Sequence, residues 1–150
     1  MQPGAFGENL CTTGWTEADV CIGDVMRFVS AILQISQGRQ PCWKLNKRFG
    51  QDDMAFAGQS TGRTGWYYRI LEEGIAKESD ELILDLRPQP DWQLSPLSQL
   101  LCRRTDAHDE LRKIVEIPEL AEGWRRLAAR RVETAKVEDW SNRLNDRKSG

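Results

Sequence analysis

A cysteine set between a proline and a tryptophan is the side chain in this sequence best placed to do chemistry. The segment Ser36-Gln37-Gly38-Arg39-Gln40-Pro41-Cys42-Trp43-Lys44-Leu45 places Cys42 between two cations, Arg39 and Lys44. Nearby positive charge favours the thiolate, which is both the nucleophile and the soft metal ligand. Pro41 removes a backbone donor and stiffens the approach to the thiol. A cysteine is also a small hydrophobe that cores bury readily, and the residues alone leave both roles open. A second segment, Gly4-Ala5-Phe6-Gly7-Glu8-Asn9-Leu10, sets two glycines around an aromatic, followed by a carboxylate and an amide. It suits a loop whose backbone approaches a ligand closely, but a plain turn closed by an Asx hydrogen bond is the simpler reading.

Composition removes several classes of function. The 150 residues carry 21 Lys+Arg against 23 Asp+Glu, a net charge of −2, so there is no electrostatic footprint for a nucleic acid as main partner. One histidine, His108, excludes His-rich metal sites and reads as a surface helix residue among Asp106, Asp109 and Glu110. No apolar run is long enough to span a bilayer and no signal-peptide pattern opens the chain, so a cytoplasmic protein without a membrane partner is expected. The four cysteines, at 11, 21, 42 and 102, show no CxxC spacing, which argues for free thiols. Cys11, Cys21 and Cys102 read as buried small residues.

The elements that would position Cys42 follow from periodicity. Residues 1–102 hold 9 basic and 13 acidic side chains, whereas residues 103–150 hold 12 and 10, the charge density of amphipathic surface helices. Arg87-Pro88-Gln89-Pro90 cannot continue a central strand or a helix, so a boundary is expected there, with a first domain at 1–92 and a second at 93–150. Before it, 24–28 and 31–36 read as strands around a Val29-Ser30 turn, and 65–71 and 81–86 as two more. Asp52 is expected to cap one or two helical turns over 52–57. After the boundary, Ser95-Pro96 opens a helix bearing Leu97, Leu100 and Leu101, and Asp106 caps a second bearing Leu111, Ile114 and Val115. Pro118 opens a third, with Leu120, Trp124, Leu127 and Ala128 on one side, and Val137, Trp140 and Leu144 extend or follow it. The basic run from Trp124 to Arg131 reads as a solvated helix face.

Phe6-Gly7-Glu8-Asn9-Leu10, Gly23-Asp24, Gln37 through Leu45, Thr61-Gly62-Arg63-Thr64-Gly65-Trp66 and Leu71-Glu72-Glu73-Gly74 together resemble the MOSC domain of the YiiM type. The helical tail resembles the three-helix extension that follows MOSC in that group. The resemblance implies an α+β chain, part of a MOSC β-barrel followed by a small three-helix domain. It further implies binding of the molybdenum cofactor, a molybdopterin, with Cys42 matching the cysteine that ligates the metal and serves catalysis. Arg39 and Lys44 would face the anionic pterin phosphate, Asn9 and Gly7 would contact the cofactor, and Glu8 would be repelled by it. Similar proteins reduce N-hydroxylated bases and related compounds. The chain has neither four-cysteine iron–sulfur spacing nor a GxGxxG fingerprint, so a separate electron-donating reductase is expected. The alternatives are a sulfur carrier with a persulfide on Cys42, or a non-enzymatic remnant that acts through protein association. Two departures stand out. The family usually has a proline where this chain has Gly38, which predicts a looser loop. Relatives also carry an upstream segment before the position of Phe6, which predicts open sheet edges and self-association.

Overall fold

The computed structural model of the protein describes residues 3–103 and 107–145. Strands β1 (Val25–Phe28) and β2 (Ala31–Gly38) form a hairpin, and β3 (Trp66–Glu72) and β4 (Leu82–Leu86) flank it in the order β3-β2-β1-β4, every pair antiparallel. Helices α1 (Lys44–Phe49) and α2 (Met54–Thr61) connect β2 to β3. Four more helices follow the sheet: α3 (Leu94–Arg103), α4 (His108–Val115), α5 (Glu122–Thr134) and α6 (Ser141–Leu144). The expected α+β class and all four strands are present, with the predicted strand bounds shifted by one or two residues. Helix α1 has no counterpart in the sequence reading. It is two turns at most, too short for an apolar period to show.

Helix starts differ from expectation because main-chain and distant side-chain groups, not local caps, satisfy their amides. Asp52 does not cap α2, and Asp53 at the N-cap position makes no side-chain bond. The Ala55 amide is met instead by the Asn46 side chain, Oδ1 at 2.7 Å. Helix α3 begins before Ser95, since the amides of Leu94 and Ser95 donate to the carbonyls of Val20 (2.9 Å) and Glu17 (2.8 Å). Helix α5 begins at Glu122 rather than Pro118. Asp106, the expected cap of α4, lies outside the described residues.

Val20, Ile22 and Ile35 on one face of the sheet region pack with Leu94, Leu97, Leu101, Leu111, Ile114 and Trp124 from the helices, forming the main core. Met26, Ala31 and Leu33 form a smaller one. None of the four cysteines is in a disulfide, but Cys11 is exposed rather than buried because its loop stays at the surface. Arg131, read as solvated, is instead fully enclosed with Glu138, while Arg125 turns inward onto the carbonyls of Ile117 (2.8 Å) and Leu120 (3.2 Å). At the sheet's entrance Asp24 is completely buried, and its carboxylate accepts from Arg87 Nε (2.9 Å), Arg87 Nη2 (2.7 Å) and the Cys21 amide (2.8 Å).

The end of β2 is where the helices meet the sheet. The β2–β3 register slips between Ile35 and Gln37, turning Ser36 inward. The Ser36 carbonyl then accepts from the Ala121 amide at 2.9 Å, just before α5. Two residues on, a methyl group at Gly38 would stand 2.8 Å from both Ser98 Oγ and Trp124 Cη2. In this chain the residue that departs from the family's proline is therefore closely packed. Gly38→Ala should lower stability by about 1–3 kcal/mol through overpacking. Val29 holds a positive φ of 57° at the hairpin turn, where a β-branched residue is strained and glycine is not. Val29→Gly should raise stability by about 0.5–1 kcal/mol. Urea denaturation of the two variants beside the parent chain checks both signs.

Candidate active site

Strand β2 delivers the chain to Cys42 through a rigid run. The Arg39 amide donates to the Gly65 carbonyl at 2.9 Å, holding the exit of β2 beside the entrance of β3. The buried Glu17 carboxylate fixes that entrance by accepting from the amides of Thr64 (2.7 Å) and Gly65 (2.6 Å). Beyond Pro41 the chain turns into α1, with the Leu45 amide donating to the Cys42 carbonyl at 2.9 Å. Asn46, buried one turn into α1, ties three segments together. Its Oδ1 caps α2, and its Nδ2 donates to the carbonyls of Asp52 (2.7 Å) and Leu144 (3.1 Å).

Leu144 belongs to the C-terminal segment, which closes the loop from its other side. Arg143 donates from Nε to the Pro41 carbonyl (3.1 Å) and from Nη2 to the Gln40 carbonyl (3.0 Å). Its own carbonyl accepts from the Trp43 amide at 2.8 Å. The segment is anchored in turn by Glu138, whose Oε2 accepts from Arg131 Nε (2.8 Å) and Nη2 (2.7 Å). Between loop and segment lies a cleft of about 510 Å³ lined by Cys42, Trp43, Lys44, Glu138, Asp139, Trp140, Asn142 and Arg143. The Cys42 thiol is partly exposed there. Gln40 Nε2, beside it in the loop, is buried without a hydrogen-bond partner.

The structure brings Cys42 and Lys44 into this one cleft. Arg39 stands outside it, near the Glu8 carboxylate. Gly7, at a φ of 77°, sits in a loop seated on α1: Arg48 Nη2 donates to the Gly4 carbonyl at 2.9 Å, and the rings of Phe6 and Phe49 pack at a tilt with centroids 4.8 Å apart. Glu8 closes that loop itself, accepting from the amides of Gly4 (2.6 Å) and Phe6 (2.9 Å). Backbone amides, its own first and then those of Gly4 and Phe6, hold the Glu8 carboxyl below the usual carboxylate range, with Arg39 adding to them. Asn9 is exposed and lines a different groove, of about 630 Å³, with residues 10–13 and 76–83 among its walls. Arg143 and Glu138 carry no signal in the sequence, and Trp140 reads there only as a helix residue. They lie about a hundred residues from Cys42, and nothing local marks a charged helix residue as the partner of a distant loop.

The model for the family described as MOSC domain matches residues 1–83. The chain belongs to the MOSC family. Residues 94–135 match a second model, described as YiiM-like, 3-alpha helix domain. The chain is 42% identical over 126 residues to YflK of Bacillus subtilis, covering 81% of this chain and 55% of that protein. It is 35% identical over 140 residues to YiiM of Escherichia coli, covering 93% of this chain and 62% of that protein. A Gibberella moniliformis protein named Reductase is 34% identical over 116 residues, covering 77% of this chain and 21% of that protein. The crystal structure of Escherichia coli YiiM superposes with a TM-score of 0.90 at 34% identity, covering 96% of this chain and 71% of that one. The chain thus spans 55–62% of the length of the first two relatives. In this MOSC chain the sheet followed by C-terminal helices matches the YiiM structure.

Asn46→Ala deletes three hydrogen bonds and leaves the buried Ala55 amide unsatisfied. It should cost about 2–3 kcal/mol. Urea unfolding of the variant checks this, and proton exchange at the Ala55 amide should speed up with it.

Proposed function

We propose that this MOSC chain is the metal-binding part of a molybdenum-cofactor oxidoreductase that reduces N-hydroxylated compounds, with Cys42 as the protein's ligand to the metal. The observation that carries the proposal is the donor set of the cleft. A partly exposed thiol stands with Lys44 and Arg143 around it, and the loop carbonyls of Gln40 and Pro41 are engaged by Arg143. The loop therefore presents sulfur, a soft donor, rather than oxygen. Among the described residues no three His, Cys, Asp or Glu side chains cluster to hold a metal. A metal at Cys42 must bring its other ligands with it, which a dithiolene cofactor does. Membership of the MOSC family and the relative named Reductase support the redox class.

The roles of the residues follow from their chemistry. Cys42 donates sulfur to the metal, and Lys44 places positive charge near the cofactor's anionic phosphate. Arg39 lies outside this cleft, Gly7 is in the loop seated on α1 and Asn9 lines another groove, so the proposal rests on Cys42 and Lys44 alone. When bound, the cofactor supplies two-electron transfer at a sulfur-ligated metal. The overall reaction balances as R–NHOH + 2 e⁻ + 2 H⁺ → R–NH₂ + H₂O. The four cysteines have no cluster-binding spacing, so the electrons are assigned to a separate reductase. No helix among the described residues is long and apolar enough to cross a membrane.

Cys42→Ser should abolish reduction of an N-hydroxylated base and lower molybdenum content in protein expressed by a host that makes the cofactor, whereas Cys102→Ser should leave both nearly intact. A serine hydroxyl is a hard, high-pKa donor and cannot replace the thiolate. Reduced methyl viologen as electron donor and elemental analysis of the same preparations measure the two quantities. Normal turnover by Cys42→Ser would remove the assignment. Cyanide-labile sulfur on Cys42 without molybdenum would replace it with sulfur transfer.

A further inference from the structure

We infer that Arg143 is a positioning residue for Cys42, and that the C-terminal segment from Ala135 to Leu144 acts as a strap setting how far the thiol is presented to the cleft. The inference goes beyond the identity of any metal, because it concerns only the loop and the groups that hold it.

Three observations combine. The guanidinium of Arg143 reaches across the cleft to two successive carbonyls, Gln40 (3.0 Å) and Pro41 (3.1 Å), immediately before Cys42. The Trp43 amide, immediately after Cys42, donates to the Arg143 carbonyl at 2.8 Å. One residue of the strap thus brackets the cysteine on both sides. The strap itself is held at its other end. It leaves α5 at Ala135, whose φ of 53° makes a left-handed turn, and is pinned by Glu138 on Arg131. Arg131 is enclosed, with only 2% of its side chain exposed, and also lies over the Trp140 ring at 6.0 Å. The anchor is therefore in the helical core, and the clamp is on the cysteine loop. Arginine suits the clamp, since its planar fork reaches two acceptors at once while lysine offers a single point.

Proline at 41 has no amide to donate, so the hydrogen bonds that tie this stretch to the strap are the ones its carbonyls accept from Arg143. Removing the guanidinium frees the two carbonyls that precede Cys42 and leaves the strap tied only beyond it, through the Trp43 amide and the Asn46–Leu144 bond. The loop then samples open positions more often, and the thiol meets solvent more often.

The test is the rate of alkylation of each cysteine by iodoacetamide, followed by peptide mass spectrometry across pH on the whole chain, native and Arg143→Ala. Arg143 also carries charge into the cleft, and the pH profile separates the two effects. Presentation sets the plateau rate at high pH, where every thiol is ionised, whereas charge sets the midpoint. Arg143→Ala should raise the Cys42 plateau about tenfold, the effect of losing hydrogen bonds worth about 1.4 kcal/mol. Arg143→Lys should fall between the two. Exposed Cys11 should keep its rate, and buried Cys21 should stay protected. Burial, and then the Asp24 carboxylate, push the Cys21 thiol up, so Cys21 reacts only if the molecule opens. An unchanged Cys42 plateau would overturn the inference, as would a rise shared by Cys21, which signals general loosening. The outcome is independent of the metal assignment, which stands or falls on molybdenum content in Cys42→Ser.

Discussion

The close approach of the Trp124 ring to Gly38 is the contact on which the rest of the arrangement depends. A β-carbon at that position would come within 2.8 Å of the indole and of Ser98, so the helices can seat on the strand only because it lacks one. The same strand leads directly to the cysteine loop. Docking the helices and placing Cys42 are thus one event in packing terms. The register slip at Ser36 aims a carbonyl at α5, the glycine lets the indole close, and the chain leaves the sheet in a fixed direction.

Guanidinium groups do the remaining joining. Arg87 is held by Asp24 under the sheet entrance, Arg131 by Glu138 inside the helical end, and Arg125 gathers carbonyls ahead of α5. Such groups contribute little net stability once desolvation is counted, but removing one partner leaves a charge or carbonyls unsatisfied and is costly. They act as fixed pins between segments that apolar packing alone would allow to slide. The strap from Ala135 to Leu144 shows the pattern in short form, with an arginine–carboxylate pin at one end and an arginine–carbonyl clamp at the other.

How much of this was legible in the sequence depends on the range of the interaction. The strands were, because alternation and β-branched runs are local, and so was the helical period at Leu97, Leu100 and Leu101. The residues of Cys42's own segment were visible as a cysteine flanked by cations and proline. Helix α1 was not, since its six residues, Lys44–Phe49, are too few for a period. The cap of α2 was assigned to Asp52 because sequence reading looks for caps nearby, whereas Asn46 reaches it through a fold in the chain. Arg131 reads as solvated and Arg143 carries no signal for a similar reason: only tertiary structure brings Glu138 onto the one and the Gln40 and Pro41 carbonyls onto the other. Gly38 was visible as a departure from the family pattern, but its cause, an indole 86 residues away, was not.

Native-state hydrogen exchange at two amides tests most directly whether the helices and the cysteine loop are one unit. The Trp43 amide bonds to the strap and the Ala121 amide bonds to β2. The account predicts that both open only with the helical core, sharing the exchange free energy of the Leu111 amide inside α4. Trp43 exchanging at the rate of an unprotected surface loop, while Leu111 stays protected, would contradict it and show that the cysteine loop moves independently of the helices.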